Sequence, residues 1–181
     1  MDSLSFVFSI PFAYRIYILN TPALTEIIMG DARIQMEKER MKGQSRQFDI
    51  LIIDAFSSDA VPMHLITKEA FALYDYHLKA DGILAFHISA IHIDFGAVVK
   101  GLSRTIDREP VRLKKRGNYA EGGSWNDWIL VIRNNPFLRI KNLSESAKMT
   151  AEPEIIWTDD HSNLLQVLKQ RKVKIGKLIK N

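Results

Sequence analysis

The 181-residue chain contains no cysteine, so it has neither a disulfide framework nor a thiolate metal site. This fits a reducing compartment, and we predict a cytoplasmic protein. The chain also lacks the run of ~20 apolar residues that a membrane-spanning helix needs. Its most apolar segment, residues 5–19, contains Pro11 and Arg15. A signal peptide is also disfavoured, because the second residue, Asp2, is negatively charged.

Acidic residues are missing from the carboxyl-terminal end. Six of the 25 basic residues lie in the last 13 positions, where no Asp or Glu occurs. The rest of the chain contains the other 19 basic residues and all 21 acidic residues. The basic charge therefore belongs to a tail, residues 170–181. A basic tail can contact nucleic acid or an anionic membrane surface. No aromatic residue is interleaved with these charges, so we favour a solvated helix end and predict no nucleic-acid partner.

Glycine is absent before Gly30. Doubly wound α/β folds hold a nucleotide with a glycine-rich turn after the first strand, and residues 1–29 offer no such turn. Residues 1–16 form a segment to which we assign no structure.

The central part of the chain alternates short apolar runs with amphipathic stretches. This pattern is typical of a parallel sheet covered by helices. We predict strands at 26–29, 48–53, 83–88, 110–115 and 128–132, and helices at 32–42, 67–78, 95–106 and 162–172. Four consecutive aliphatic residues, 50–53, predict a strand that is buried on both faces. The predicted fold class is α/β, with a partial doubly wound and mostly parallel sheet of the Rossmann-like type.

In such sheets the ligand lies outside the carboxyl ends of the strands. Asp31, Asp54 with its loop, and Ser89 follow predicted strands and are the candidate site residues. For Asp31 a helix-capping role and a functional role have equal weight. Asp54 ends a fully apolar strand, where a carboxylate needs a partner or a cationic ligand, so a functional role is favoured. The five histidines show no metal-ligand spacing, and we interpret those nearest the site, His64 and His161, as structural.

Four segments in order resemble the spermidine synthase (polyamine aminopropyltransferase) family, in its bacterial spermidine synthase-like branch. They are GDAR at 30–33, FDILIIDAFSSDAVP at 48–62, DGILAFHIS at 81–89 and WTDDHSNLL at 157–165. The resemblance covers about residues 17–169. It implies a domain of the class I S-adenosylmethionine-dependent methyltransferase type that is amino-terminally truncated, because the first nucleotide-binding unit has no counterpart.

The resemblance also implies a reaction, the transfer of an aminopropyl group from decarboxylated S-adenosylmethionine to a diamine such as putrescine. The nucleoside is then a co-substrate, and neither a prosthetic group nor a metal is expected. Asp31, with the adjacent Ala32, matches the position that binds the adenine amino group. Asp54 matches the catalytic acid that faces the amine and the sulfonium, and Asp59 matches the second catalytic acid. The loop that separates these two acids is two residues longer here than is usual in the family.

Three hypotheses follow from these features. The first is an aminopropyltransferase impaired by the missing glycine-rich turn. The second is a non-catalytic remnant or partner module whose open sheet edge pairs with another chain, which leaves room for a homo-oligomer. The third is a small-molecule methyltransferase, since one fold serves many chemistries. A carboxylate next to a primary amine suits the first, because the amine must lose a proton before it attacks carbon.

Overall fold

The computed structural model describes residues 26–56, 62–89, 92–115, 126–133 and 153–169. The predictions for Asp59, for segment 1–16 and for the basic tail lie outside these residues.

The described residues form helices and strands in alternation. The helices are α1 (Ala32–Met41), α2 (Lys68–His77) and α3 (Gly96–Thr105), and the strands are β1 (Phe48–Ile53), β2 (Leu78–His87), β3 (Glu109–Lys115) and β4 (Asn126–Ile132). Two short 3-10 turns accompany them, at Met63–Leu65 and Leu164–Val167. None of the helices in this described part is long and apolar enough to cross a membrane.

The strands form one sheet in the order β1-β2-β4-β3. β1 and β2 are parallel neighbours joined through α2, and β4 is antiparallel to both β2 and β3. Among the four described strands, three therefore run in one direction and β4 runs in the other. A parallel pair needs a crossover connection, which α2 supplies here. The predicted α/β fold class of the Rossmann-like type is confirmed, with a mixed sheet in which one of the three described strand pairings is parallel.

The two faces of the sheet are covered unequally. In β2, Leu84 and Phe86 enter the main core with residues of all three helices, whereas Ile83 joins a small cluster with Val111 and Ile132 on the other face. This split follows from the alternation of side chains along a strand. The prediction that β1 is buried on both faces is wrong for the described part of the chain, because Ile50 remains 42% exposed.

Each of the first two helices begins where the sequence places a capping residue. The Asp31 carboxylate accepts a hydrogen bond from the Ile34 N–H, and the Thr67 hydroxyl accepts one from the Ala70 N–H. A short polar side chain at this position satisfies one of the orphan N–H groups of the first turn. Gly43 follows α1 with a φ of 70°, a left-handed conformation that favours glycine.

Two predicted elements are wrong. Residues 26–29 form no strand, because Ile27 and Met29 are exposed and have no strand beside them in the described sheet. Asp31 therefore does not follow a strand. The predicted helix at 162–172 is, within the described residues, a single 3-10 turn, since Leu168 leaves it to make a β-bridge with Ile93.

The strand predicted at 110–115 is present as β3, but it is less exposed than its alternating charges indicate. Val111 and Arg112 are buried. Arg112 is buried because two carboxylates from neighbouring segments bind its guanidinium.

Candidate functional site

Three polar side chains meet at the carboxyl ends of β1 and β2. Asp54 follows β1, His87 is the last residue of β2, and Ser89 lies two residues further on. Asp54 Oδ1 is 2.7 Å from His87 Nδ1, and His87 Nε2 is 2.7 Å from Ser89 Oγ. We call these residues the strand-end triad. They converge because parallel neighbouring strands end at the same edge of a sheet, which is where α/β folds bind ligands.

The triad is held in place from β4. Trp128 lies opposite His87 in the antiparallel register, and the two rings stack with their centroids 4.6 Å apart and their planes at 18°. The Asp127 N–H donates to Ser89 Oγ at 3.0 Å, and the Ile88 N–H donates to the Asp127 carbonyl at 2.8 Å. The turn after β2 is therefore fixed to β4 by both main-chain and side-chain bonds.

A buried arginine supports this arrangement from β3. Arg112 is 3% exposed and donates to both carboxylate oxygens of Asp127, at 2.9 and 2.8 Å, and to Asp94 Oδ1 at 2.7 Å. Burial acts to raise the pKa of Asp94, but hydrogen bonds from the Gly96 N–H and from Arg112 outweigh it and hold that pKa below its usual value. The carboxylates of Asp94 and Asp127 are thus committed to the arginine.

Asp54 differs from these carboxylates. Its side chain is 30% exposed. No Lys or Arg among residues 26–56, 62–89, 92–115, 126–133 and 153–169 forms an ion pair with it, and its second oxygen, Oδ2, has no hydrogen-bond donor there. An ionised carboxylate can accept about four hydrogen bonds. Asp54 can therefore attract a cation and accept a proton.

Asp31 lies in a second cluster. It caps α1, with Oδ1 3.0 Å from the Ile34 nitrogen and Oδ2 2.9 Å from His64 Nε2. Burial acts to raise the pKa of Asp31, but the hydrogen bonds from Ile34 and His64 lower it below its ordinary value. The helix-capping role is confirmed. Ala32 is the first residue of α1 and is partly packed against the core. A role for Asp31 and Ala32 in nucleoside binding stays a prediction.

Beside Asp31, a partly buried ion pair joins two distant parts of the chain. Arg33 donates to Asp159 Oδ1 and Oδ2 at 2.7 and 2.5 Å, and to the His64 carbonyl at 2.6 Å. The Thr67 hydroxyl donates to Asp159 Oδ1 at 2.7 Å. We call Arg33, Thr67 and Asp159 the arginine cluster. Hydrogen bonds from Arg33 lower the pKa of Asp159, and the Thr67 hydroxyl adds to this effect against an opposing contribution from burial.

A shallow cavity of about 290 Å³ lies against the arginine cluster. Its lining consists of Arg33, Met63, His64, Thr67, Thr158, Asp159 and Ser162. Asp54 is not part of this lining, so the cavity and the strand-end triad are separate features. The predicted site residues are therefore distributed over two places, with Asp31 near the cavity and Asp54 in the triad.

Sequence reasoning missed two of these contacts. It included Ser89 among the candidates, but it did not pair His87 with Asp54. The available signal was the position of His87 at the end of β2, the parallel neighbour of β1. It also did not connect Arg33 to Asp159, which are 126 positions apart. No cluster of three or more potential metal ligands occurs in the described part of the chain.

Comparison with known proteins gives matches to one class of transferase. A 60-residue stretch is 33% identical to the polyamine aminopropyltransferase of Vibrio vulnificus (strain CMCP6), which corresponds to 33% of this chain and 19% of that protein. The chain thus spans about a fifth of the length of the curated relative that it matches. No family model matches the chain.

Solved structures of spermidine synthases are also similar. A probable spermidine synthase from Corynebacterium glutamicum ATCC 13032 aligns with 68% of this chain and 43% of its own, at 18% identity and a TM-score of 0.47. Spermidine synthase from Thermotoga maritima aligns with 82% of this chain and 48% of its own, at 17% identity and a TM-score of 0.44.

The chain is an α/β protein with polar groups at the carboxyl ends of parallel strands. More particularly, it is similar to the polyamine aminopropyltransferases, and the resemblance to the spermidine synthase family in the sequence is confirmed.

Proposed function

We propose that the chain carries the amine-facing part of an aminopropyltransferase site, with Asp54 as the base. The supporting observation is that Asp54 is a partly exposed carboxylate at the end of β1, held by His87 and without a cationic partner in the described residues. It lies in a chain that is similar to a polyamine aminopropyltransferase.

The reaction needs a carboxylate of this kind. A primary alkylamine is protonated at neutral pH, since such groups have a pKa near ~10. The ammonium gives one proton to Asp54, and the freed lone pair then attacks the aminopropyl carbon of decarboxylated S-adenosylmethionine. The bond from that carbon to sulfur breaks, its electron pair stays on sulfur, and neutral methylthioadenosine leaves. Placing the amine in line with this carbon supplies much of the remaining rate.

The same carboxylate favours both substrates electrostatically, because the diamine and the sulfonium are both cationic. Asp31 and Ala32 are proposed as nucleoside contacts and Asp59 as a second acid, on the strength of the family resemblance alone. Decarboxylated S-adenosylmethionine is a co-substrate in this scheme, and we propose that the reaction takes place in the cytoplasm.

Calorimetric titration with putrescine tests the role of Asp54. The wild-type chain should bind putrescine, and Asp54→Asn should weaken binding about tenfold or more, as expected when a hydrogen bond of about 1.5 kcal/mol to a charged group is lost. Asp49→Asn is a matched control, since Asp49 lies at the other end of β1 and pairs with Lys79. It should leave the affinity unchanged.

Three outcomes contradict the proposal. If Asp54→Asn binds putrescine as tightly as the wild type, Asp54 is not the amine contact. If Asp49→Asn weakens binding equally, the effect is one of overall charge. If the wild-type chain releases no heat with putrescine or with methylthioadenosine, the non-catalytic hypothesis is correct.

A further inference from the structure

Each ring nitrogen of His87 has one hydrogen-bond partner, Asp54 at Nδ1 and Ser89 at Nε2. We propose that His87 is a positioning residue that holds one oxygen of an ionised Asp54 and leaves the other oxygen for the amine. This inference rests on the proposed function and extends it to a residue that does not itself touch the substrate.

One assignment of protons satisfies every group in the triad. An ionised carboxylate only accepts hydrogen bonds, so His87 Nδ1 must carry a proton and donate it to Asp54 Oδ1. In a neutral imidazole Nε2 is then an acceptor, and the Ser89 hydroxyl donates to it. Ser89 Oγ in turn accepts the Asp127 N–H. In this assignment the bond to the ionised Asp54 carboxylate sets the tautomer of His87, and the Asp127 N–H, which belongs to the main chain of β4, fixes the position of Ser89 Oγ.

The imidazole is also fixed in orientation. It stacks on Trp128, and its side chain is only 21% exposed. A partly exposed carboxylate would otherwise rotate between several rotamers. A bond to a ring that is held by this stacking and by Ser89 favours the Asp54 rotamers that keep Oδ1 on Nδ1. Holding a reacting group in one geometry before the substrate binds is a known source of rate and affinity.

A hydrogen-bonded series of Asp, His and Ser side chains also occurs in hydrolases that use the serine as a nucleophile. The environment of Ser89 is different. The main-chain N–H of Asp127 is directed at Ser89 Oγ itself, whereas in those enzymes the N–H donors face the oxyanion that forms on the substrate. Ser89 is therefore assigned to the support of His87.

Two substitutions of His87 separate positioning from packing. His87→Phe keeps a ring that can stack on Trp128 but removes both nitrogens. His87→Asn places an amide N–H close to the position of Nδ1 and restores the donor to Asp54. We expect His87→Phe to weaken putrescine binding about tenfold, or ~1.4 kcal/mol, and His87→Asn to recover most of this loss. His161→Phe alters an exposed histidine outside the triad and serves as the control.

The closing experiment is ¹⁵N NMR of the imidazole nitrogens in the uniformly labelled wild-type chain, with the signals of His87 identified by their loss in His87→Phe. The inference expects a protonated Nδ1 and an unprotonated Nε2 at neutral pH without ligand, and a shift of the Nδ1 signal when putrescine is added. A protonated Nε2 with a bare Nδ1 overturns the inference.

The two proposals fail in distinguishable ways. If putrescine binds equally well to His87→Phe and to the wild type, the positioning role is wrong while the role of Asp54 stands. If the free protein shows the expected tautomer but no variant and no wild-type sample binds putrescine, the proposed function is wrong and the hydrogen-bonded geometry stands.

Discussion

The strand-end triad and the arginine cluster are both built around an aspartate, but the two carboxylates are in different electrostatic situations. Asp159 is bound by both terminal nitrogens of Arg33 and by the Thr67 hydroxyl. Within the described residues, Asp54 is bound by a single imidazole nitrogen. The charge of Asp159 is therefore compensated inside the protein, whereas no lysine or arginine of the described segments compensates that of Asp54.

The comparison shows what each cluster contributes. The arginine cluster attaches residues 157–162 to α1 and α2, and a main-chain bond from the Lys68 N–H to the Trp157 carbonyl, at 2.8 Å, strengthens this attachment. It contributes to stability. The strand-end triad links residues at the ends of strands that already pair with each other. We therefore assign its hydrogen bonds to function and not to stability.

The largest expected effect is on stability, at Asp159. Asp159→Asn leaves the guanidinium of Arg33, whose side chain is 10% exposed, with Glu37 as its remaining charged partner. Breaking a fully buried pair costs about 3–5 kcal/mol. Because the side chain of Asp159 is 41% exposed, we expect a loss of about 2 kcal/mol in the free energy of unfolding. Urea unfolding at neutral pH measures it.

Two further variants sharpen this comparison. Asp160→Asn changes the exposed neighbour of Asp159 and should alter stability by less than about 0.5 kcal/mol. Asp54→Asn should also cost less than about 1 kcal/mol, because Asp54 is partly exposed and unpaired with any described cation. Equal losses for Asp54→Asn and Asp159→Asn would remove the distinction between the two clusters.

A smaller effect is expected in acid. The pKa of Asp159 is lower in the folded chain than its ordinary value of 3.8, chiefly through the hydrogen bonds from Arg33. The unfolded state therefore binds more protons between the two pKa values, and stability must rise with pH in that window. The contribution of Asp159 is fully present above its unfolded-state pKa and is lost as the pH falls through the folded one. The pKa of Asp31 is also lowered in the folded chain, so its contribution to stability changes with pH in the same direction.

Unfolding curves at a series of pH values between about 5 and 2 check this linkage. The difference in stability between the wild type and Asp159→Asn should shrink as the pH falls. A difference that stays constant down to the lowest pH would show that the ion pair is not its source.

The sequence predicts the fold better than the contacts in the site. The apolar run at 50–53, the capping residues Asp31 and Thr67, and the glycine after α1 are local signals, and each element that they predict is present. The exposure of Ile50 could not be predicted in this way, since it depends on whether another element covers that face of the sheet.

The site could be predicted only in part for the same reason. The position of Asp54 at a strand end follows from the pattern, but its pairing with His87 depends on which strands become neighbours. The bond from Arg33 to Asp159 requires the chain to return over 126 positions. Residues 26–29 failed as a strand because none of the described strands lies beside this short apolar run to pair with its main-chain groups.

The central claim is that the Asp54 carboxylate at the end of β1, which no described cation pairs with, receives a cationic amine. A crystal structure of the chain grown with putrescine tests it most directly. The account predicts an ammonium nitrogen within about 3 Å of Asp54 Oδ2, the usual length of a charge-assisted hydrogen bond, while His87 stays bonded to Oδ1. A diamine bound instead in the cavity at the arginine cluster, with nothing at Asp54, would contradict the account.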